Sequence, residues 1–145
     1  MFTHILIPTD GSPLAASAIA PAIALAKALS ARVTGVTVST PYHVVTADAV
    51  SISDTEDQYT KDCARRAERD LAPLKEAARA AGVPFAAVHD FGDRVHESII
   101  KAAAKAGCDL IVMASHGRKG ASAVLLGSET TKVLTHSKIP VLVVR

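Results

Sequence analysis

Two segments of the chain, His4-Ile5-Leu6-Ile7-Pro8 and Asp109-Leu110-Ile111-Val112-Met113-Ala114, are apolar at almost every position. Short aliphatic runs of this kind suit strands buried on both faces better than half-exposed ones. Val33 to Val38, Phe85 to His89 and Pro140 to Val144 read as three further strands. Between them the pattern changes to helical spacing. The alanine-rich segment from Pro13 to about Ser30 follows a Ser12 cap, with Pro13 at the first helical position and Pro21 expected to bend the helix from inside. From Thr55 to Ala81, the positions Cys63, Ala67, Leu71, Leu74 and Ala78 return every 3.6 residues on an otherwise charged helix. A third helix is expected to start at an Asp93 cap, carry the stripe Val95, Ile99, Ala102, Ala103 and Ala106, and end at Gly107. A last one is expected to start at a Ser128 cap.

Strands alternating with helices imply right-handed crossovers and a parallel sheet covered on both faces. The expected fold is therefore a single α/β domain, residues 1–145, with an open, doubly wound, five-stranded parallel sheet. Two connections stand out by length. Ser39 to Asp54 has no period and is a candidate flap over a site, or else a disordered crossover. Ser115 to Gly127 carries glycine and serine beside the fourth strand.

Composition narrows the function. Sixteen Lys and Arg against fourteen Asp and Glu leave a net charge of +2, too balanced for a nucleic-acid binder, and 3% aromatic residues supply almost no base-stacking platform. Between Asp54 and Arg79, seven acidic and six basic residues nearly cancel, as on a solvated face. Absence of a sufficiently apolar run argues against a membrane span, so a cytoplasmic protein is expected. Cys63 and Cys108 lie far apart, outside any zinc-type spacing, and are expected to be reduced and structural.

In open parallel sheets, ligands bind beyond the carboxyl ends of the strands where strand order reverses. Two clusters fall at such ends. Pro8-Thr9-Asp10-Gly11-Ser12 follows the first strand, where Asp10 can accept hydrogen bonds from a ribose or serve only as a turn residue. Ala114-Ser115-His116-Gly117 follows the fourth and runs on to Gly127-Ser128, where free backbone N–H groups and the positive end of a helix dipole suit an anion. Arg118 and Lys119 can add charge there or merely solubilise the loop. No GxxxxGK[ST] and no GxGxxG after the first strand is present, so neither a Walker-type NTPase nor a dinucleotide site is expected. The six histidines show no metal-ligand spacing, and no GxSxG surrounds Ser115.

Taken together, Ile5 to Ser12, Asp109 to Gly117, Gly127-Ser128 and Ile139 to Val144 resemble a single-domain universal stress protein over the whole chain. ATP-binding members of that family carry glycine, two residues, glycine, nine residues, then glycine with serine or threonine. Here Gly117 and Gly127-Ser128 match, and Ala114 stands where the first glycine is expected. The resemblance implies an adenine nucleotide alpha hydrolase-like fold and a site for ATP or another adenine nucleotide, with or without Mg2+. Its residues would be Pro8, Thr9 and Asp10 after the first strand and Val38, near the adenine, after the second. Met113, Ala114, Ser115, Gly117 and Arg118 would contribute from the fourth strand and its loop, and Gly127, Ser128 and Glu129 from the last helix.

Binding rather than turnover is the expected activity, signalled to an unknown protein partner. A nucleotide-free scaffold and a slow ATPase are the alternatives. The C-terminal strand, Val141 to Val144, ends the chain at an expected sheet edge with no lysine to blunt it, and a homodimer through that strand is expected.

Overall fold

The computed structural model describes residues 1–43, 52–115 and 126–145. Five parallel strands, β1 (His4–Pro8), β2 (Arg32–Ser39), β3 (Phe85–Phe91), β4 (Leu110–Ala114) and β5 (Val141–Val144), lie in the order β3-β2-β1-β4-β5. The chain winds outward from β1 through β2 to β3, then returns to the other side of β1 for β4 and β5. Strand order therefore reverses between β1 and β4, as the doubly wound reading requires.

Alternation along the central strand divides the core. Ile5 and Ile7 face α2 (Ile19–Ala28) and α3 (Ile52–Ala81), joining Ile23, Val33, Leu74 and Val112. Leu6 faces the other way, packing with Val36, Ile111 and Met113 against Ile99 of α4 (Val95–Ala106) and Val133 of α5 (Ser128–His136). The stripe Cys63, Ala67, Leu71, Leu74 and Ala78 on α3 is buried. Gly35 on β2 makes the close approach of α3 possible, since a Cβ there would come within 2.7 Å of a Leu74 methyl.

Several boundaries differ from those the sequence suggests. The first helix is two: α1 (Pro13–Ala16) ends at Ser17, and α2 starts at Ile19. Pro21 is thus the third residue of α2, among the N–H groups that lack a helical acceptor, and it causes no interior break. Helix α3 begins three residues before Thr55, and residues 44–51 of the candidate flap lie outside the described residues. Asp93 does not cap α4. Its carboxylate accepts from His43 Nε2 at 2.8 Å, and Arg94 holds the cap position without a side-chain bond. Ser128 is the first residue of α5, with Gly127 at the cap. Val95, expected in the buried stripe of α4, is exposed, while His96 and Ser98 are buried beside Ile99. Gly107 closes α4 in the left-handed conformation, φ +71°, as expected.

The amino edge of the sheet is locked by side chains. Asp109 accepts from the Thr3 and His4 backbone N–H groups at 2.8 and 3.0 Å and from the Thr3 hydroxyl at 3.0 Å, clamping β1 to β4. Burial would raise the Asp109 carboxyl, but these bonds together hold it below the usual carboxylate range. His4 is buried, with Nε2 2.7 Å from Thr34 Oγ1. Desolvation first, and the Arg32 charge second, keep its imidazole below the ordinary histidine value. Burial pushes the neighbouring Cys108 thiol up to about 11, so it stays protonated at neutral pH, in keeping with a structural cysteine.

Candidate functional site

At the carboxyl edge, the polypeptide leaves β1 through a turn held by its own side chains. Thr9 N–H continues the sheet by donating to the Val36 carbonyl at 2.9 Å. Asp10 Oδ1 accepts from Ser12 N–H at 2.9 Å, Thr9 Oγ1 from Gly11 N–H at 3.2 Å, and Ser12 Oγ caps α1 by accepting from Ala15 N–H at 3.1 Å. Gly11 has φ +76°, and a Cβ there would lie 2.3 Å from Asp70 Oδ1. Glycine is needed twice over at this position, for the left-handed turn and for the approach of a carboxylate from α3.

Beside this turn a cleft of about 150 Å³ opens between the ends of β1 and β2 and the flank of α3. Asp10 and Thr37 to Thr40 form one side, with Tyr59, Cys63, Arg66, Ala67 and Asp70 opposite. Tyr59 pins the two sides together by donating to the Thr40 carbonyl at 2.6 Å, and its ring packs on Tyr42 with centroids 5.4 Å apart. The hydroxyl of Tyr59 sits above its ordinary value, first through the Cys63 thiol hydrogen-bonded to it and then through burial.

Across β1, the end of β4 is joined to α5 by backbone and hydroxyl groups. Ser115 N–H donates to Val144 O at 2.8 Å, Gly127 N–H to Ser115 O at 2.7 Å, and Thr130 Oγ1 to Ala114 O at 3.0 Å. These bonds fix the N-terminus of α5 directly beyond β4. Ser128 is exposed there, and α5 has no side-chain cap of its own. Glu129 turns away to α4: its Oε2 accepts from His96 N–H at 2.9 Å and its Oε1 pairs with Lys132 at 3.0 Å. Burial would raise the Glu129 carboxyl, but Lys132 and the His96 N–H hold it below its usual range.

The structure thus gathers Asp10 and Val38 around one cleft and places Ala114, Ser115, Gly127 and Ser128 at the other side of β1. Thr9, Met113 and Ala114 are buried at the strand ends, and Pro8 is half-buried. Gly117 and Arg118 lie outside the described residues. Sequence reasoning missed the whole α3 wall. A signal was present in Asp70, a carboxylate seven residues after Cys63 and hence on the same, otherwise apolar stripe.

An open α/β sheet with a polar cleft beyond the carboxyl ends of β1 and β2, one strand from the switch point between β1 and β4, places the chain in the doubly wound class. Sequence comparison is more specific, because the universal stress protein family model matches residues 1–145 and the chain belongs to that family. Universal stress protein YxiE of Bacillus subtilis is 31% identical over 149 residues, spanning 100% of both chains. A universal stress protein of Thermus aquaticus is 34% identical over 145 residues, again spanning 100% of both. Among solved structures, MJ0577 superposes with a TM-score of 0.77 at 28% identity, covering 99% of this chain and 96% of its own. A universal stress protein in complex with cAMP matches in fold, with a TM-score of 0.69 at 23% identity over 99% and 97% of the two chains. Among the described residues, no helix is long and apolar enough to cross a membrane and no cluster of His, Cys, Asp and Glu is arranged to hold a metal ion.

Proposed function

We propose that this chain binds an adenine nucleotide across the carboxyl edge of its sheet and acts in the cytoplasm as a stress-response protein by binding rather than by turnover. The observation that supports this reading is the division of the edge into two chemically different halves about β1. On the β2 side, a cleft the size of a nucleobase is bordered by the Val38 backbone and the Asp10 carboxylate, which suit a base and a ribose hydroxyl. On the β4 side, α5 presents its positive end without a side-chain cap, which suits phosphate. Neighbouring strands stand about 4.8 Å apart, so the two halves are separated by about 10 Å, a nucleotide's length. Occupancy would tie α3 to α5 through the ligand, giving a partner protein a surface that depends on the bound state.

Calorimetric titration with ATP, ADP and AMP, with and without Mg2+, tests the reading. Saturable binding of any of them supports it, and no heat at millimolar ligand removes it in favour of a nucleotide-free scaffold. The same proposal includes a homodimer through β5, an edge strand whose Leu142 is 44% exposed. Sedimentation should show a wild-type dimer and a Val143→Lys monomer; a monomeric wild type would exclude the pairing.

A further inference from the structure

We propose that Arg66 of α3 is a base-binding residue that lays its guanidinium plane over the base held in the cleft between β2 and α3. The inference rests on the adenine-nucleotide reading and extends it to a residue outside the two strand-end clusters.

Three features of α3 lead to Arg66. Tyr59, Cys63, Arg66 and Asp70 follow one another at spacings of four, three and four, so they share one face of the helix, and all four line the cleft. The lower part of that face, from Leu71 to Ala78, enters the core, while the upper part runs past the strand ends and becomes a wall. Position is fixed by contacts at both ends of this wall: Tyr59 is bonded to the Thr40 carbonyl, and Asp70 is seated where Gly11 leaves room. These contacts tie the wall to the ends of β1 and β2.

The second feature is the state of the arginines. Arg65 pairs with Asp62, Arg69 with Asp70 and Arg79 with Glu76. Arg66 forms no hydrogen bond or ion pair among the described residues, although its charge acts on both Tyr59 and Asp62. Lys61 and Lys75 of α3 likewise form no ion pair among the described residues, but of these three cations only Arg66 lines the cleft, a planar cation left available at its mouth.

The third is distance. Phosphate would lie at the α5 end, across β1 from α3, so the part of a nucleotide within reach of Arg66 is its base. Arginine covers the face of an aromatic ring through both stacking and cation–π attraction. The opposite face of the base would meet the end of β2, leaving Arg66 as the cover on the solvent side.

Calorimetry of wild type and Arg66→Ala with adenosine, AMP and ATP tests this directly. Arg66 is solvent-exposed, so its truncation leaves the fold intact. The expected result is a loss of about two- to fivefold, of similar size for all three ligands, because the contact is to the group they share. A loss for ATP without a loss for adenosine would place Arg66 on the phosphates and overturn the proposal. Unchanged affinity for all three would leave Arg66 as a solvated surface cation and overturn it too. Wild type that binds none of them removes the nucleotide reading itself, an outcome visible before any variant is compared.

Discussion

The two edges of the same sheet are built from similar polar residues and do opposite things with them. At the amino edge, the Asp109 carboxylate takes up the Thr3 and His4 N–H groups and the Thr3 hydroxyl, and the buried His4 ring meets the Thr34 hydroxyl. At the carboxyl edge, Asp10, Thr37, Ser39 and Asp70 border a cleft of about 150 Å³. The difference is geometric. At the amino edge the short connections Ala31 to Arg32 and Cys108 to Asp109 bring neighbouring strands in close together, and Arg32 N–H donates to Thr3 O and Asp109 N–H to His4 O, at 3.0 and 2.9 Å. At the carboxyl edge the chain diverges on either side of β1, and among the described residues the ends of β1 and β2 border the cleft instead of closing on each other. One edge is tied by its own side chains; the other borders a cleft.

The contrast breaks most sharply at Gly11, where turn and cleft wall share one atom's worth of space. Gly11→Val places a branched side chain in a left-handed backbone and drives Asp70 outward. A loss of about 3 kcal/mol in unfolding free energy by urea titration is expected, together with loss of nucleotide binding. Full stability in this variant would show that α3 can back away from the turn.

Gly127→Val separates the edges instead of coupling them. Gly127 has φ −59°, which valine adopts freely, so the melting temperature should stay within about 2 °C of wild type while ATP affinity falls at least about tenfold. Retained affinity would place the phosphates away from α5. Ala114→Gly is the matching gain: it should tighten ATP binding more than AMP binding, and an equal effect on both would show that Ala114 does not limit phosphate approach.

The smallest effect comes chiefly from the amino edge. The folded-state value of His4 is depressed by burial below the ordinary 6.5, so below that pH the unfolded chain takes up a proton that the folded chain resists. Stability should therefore be complete above pH 6.5 and decline as pH falls through the depressed value. His89, lowered from the same value mainly by burial, contributes in the same direction. His4→Gln should flatten part of this slope without altering nucleotide affinity at pH 7.5. A slope identical to wild type would assign the acid sensitivity elsewhere.

Much of this contrast is written in the sequence. The continuous aliphatic runs at β1 and β4 can belong only to strands covered on both faces, and the alternation of strand and helix leaves few topologies besides a doubly wound sheet. Asp10 and Gly127 were legible as candidates because turn and cap positions follow local rules of backbone chemistry. Pro21 shows where local reading stopped: the split between α1 and α2 at Ser17 and Ala18 is made as the chain bends to pack on β1 and β4, and that packing turns an apparent helix breaker into a first-turn residue.

The sequence by itself determined where the strands lie, which face of α3 is apolar, and which segments end at the carboxyl edge, since all three follow from periodicity and backbone preference within a few residues. Only the tertiary structure decided that α3 overshoots the sheet. Nothing local distinguishes Cys63 and Ala67, which line a cleft, from Leu74 and Ala78, which fill the core. They occupy one stripe at one spacing, and their different roles come from where β1 and β2 happen to end beneath them.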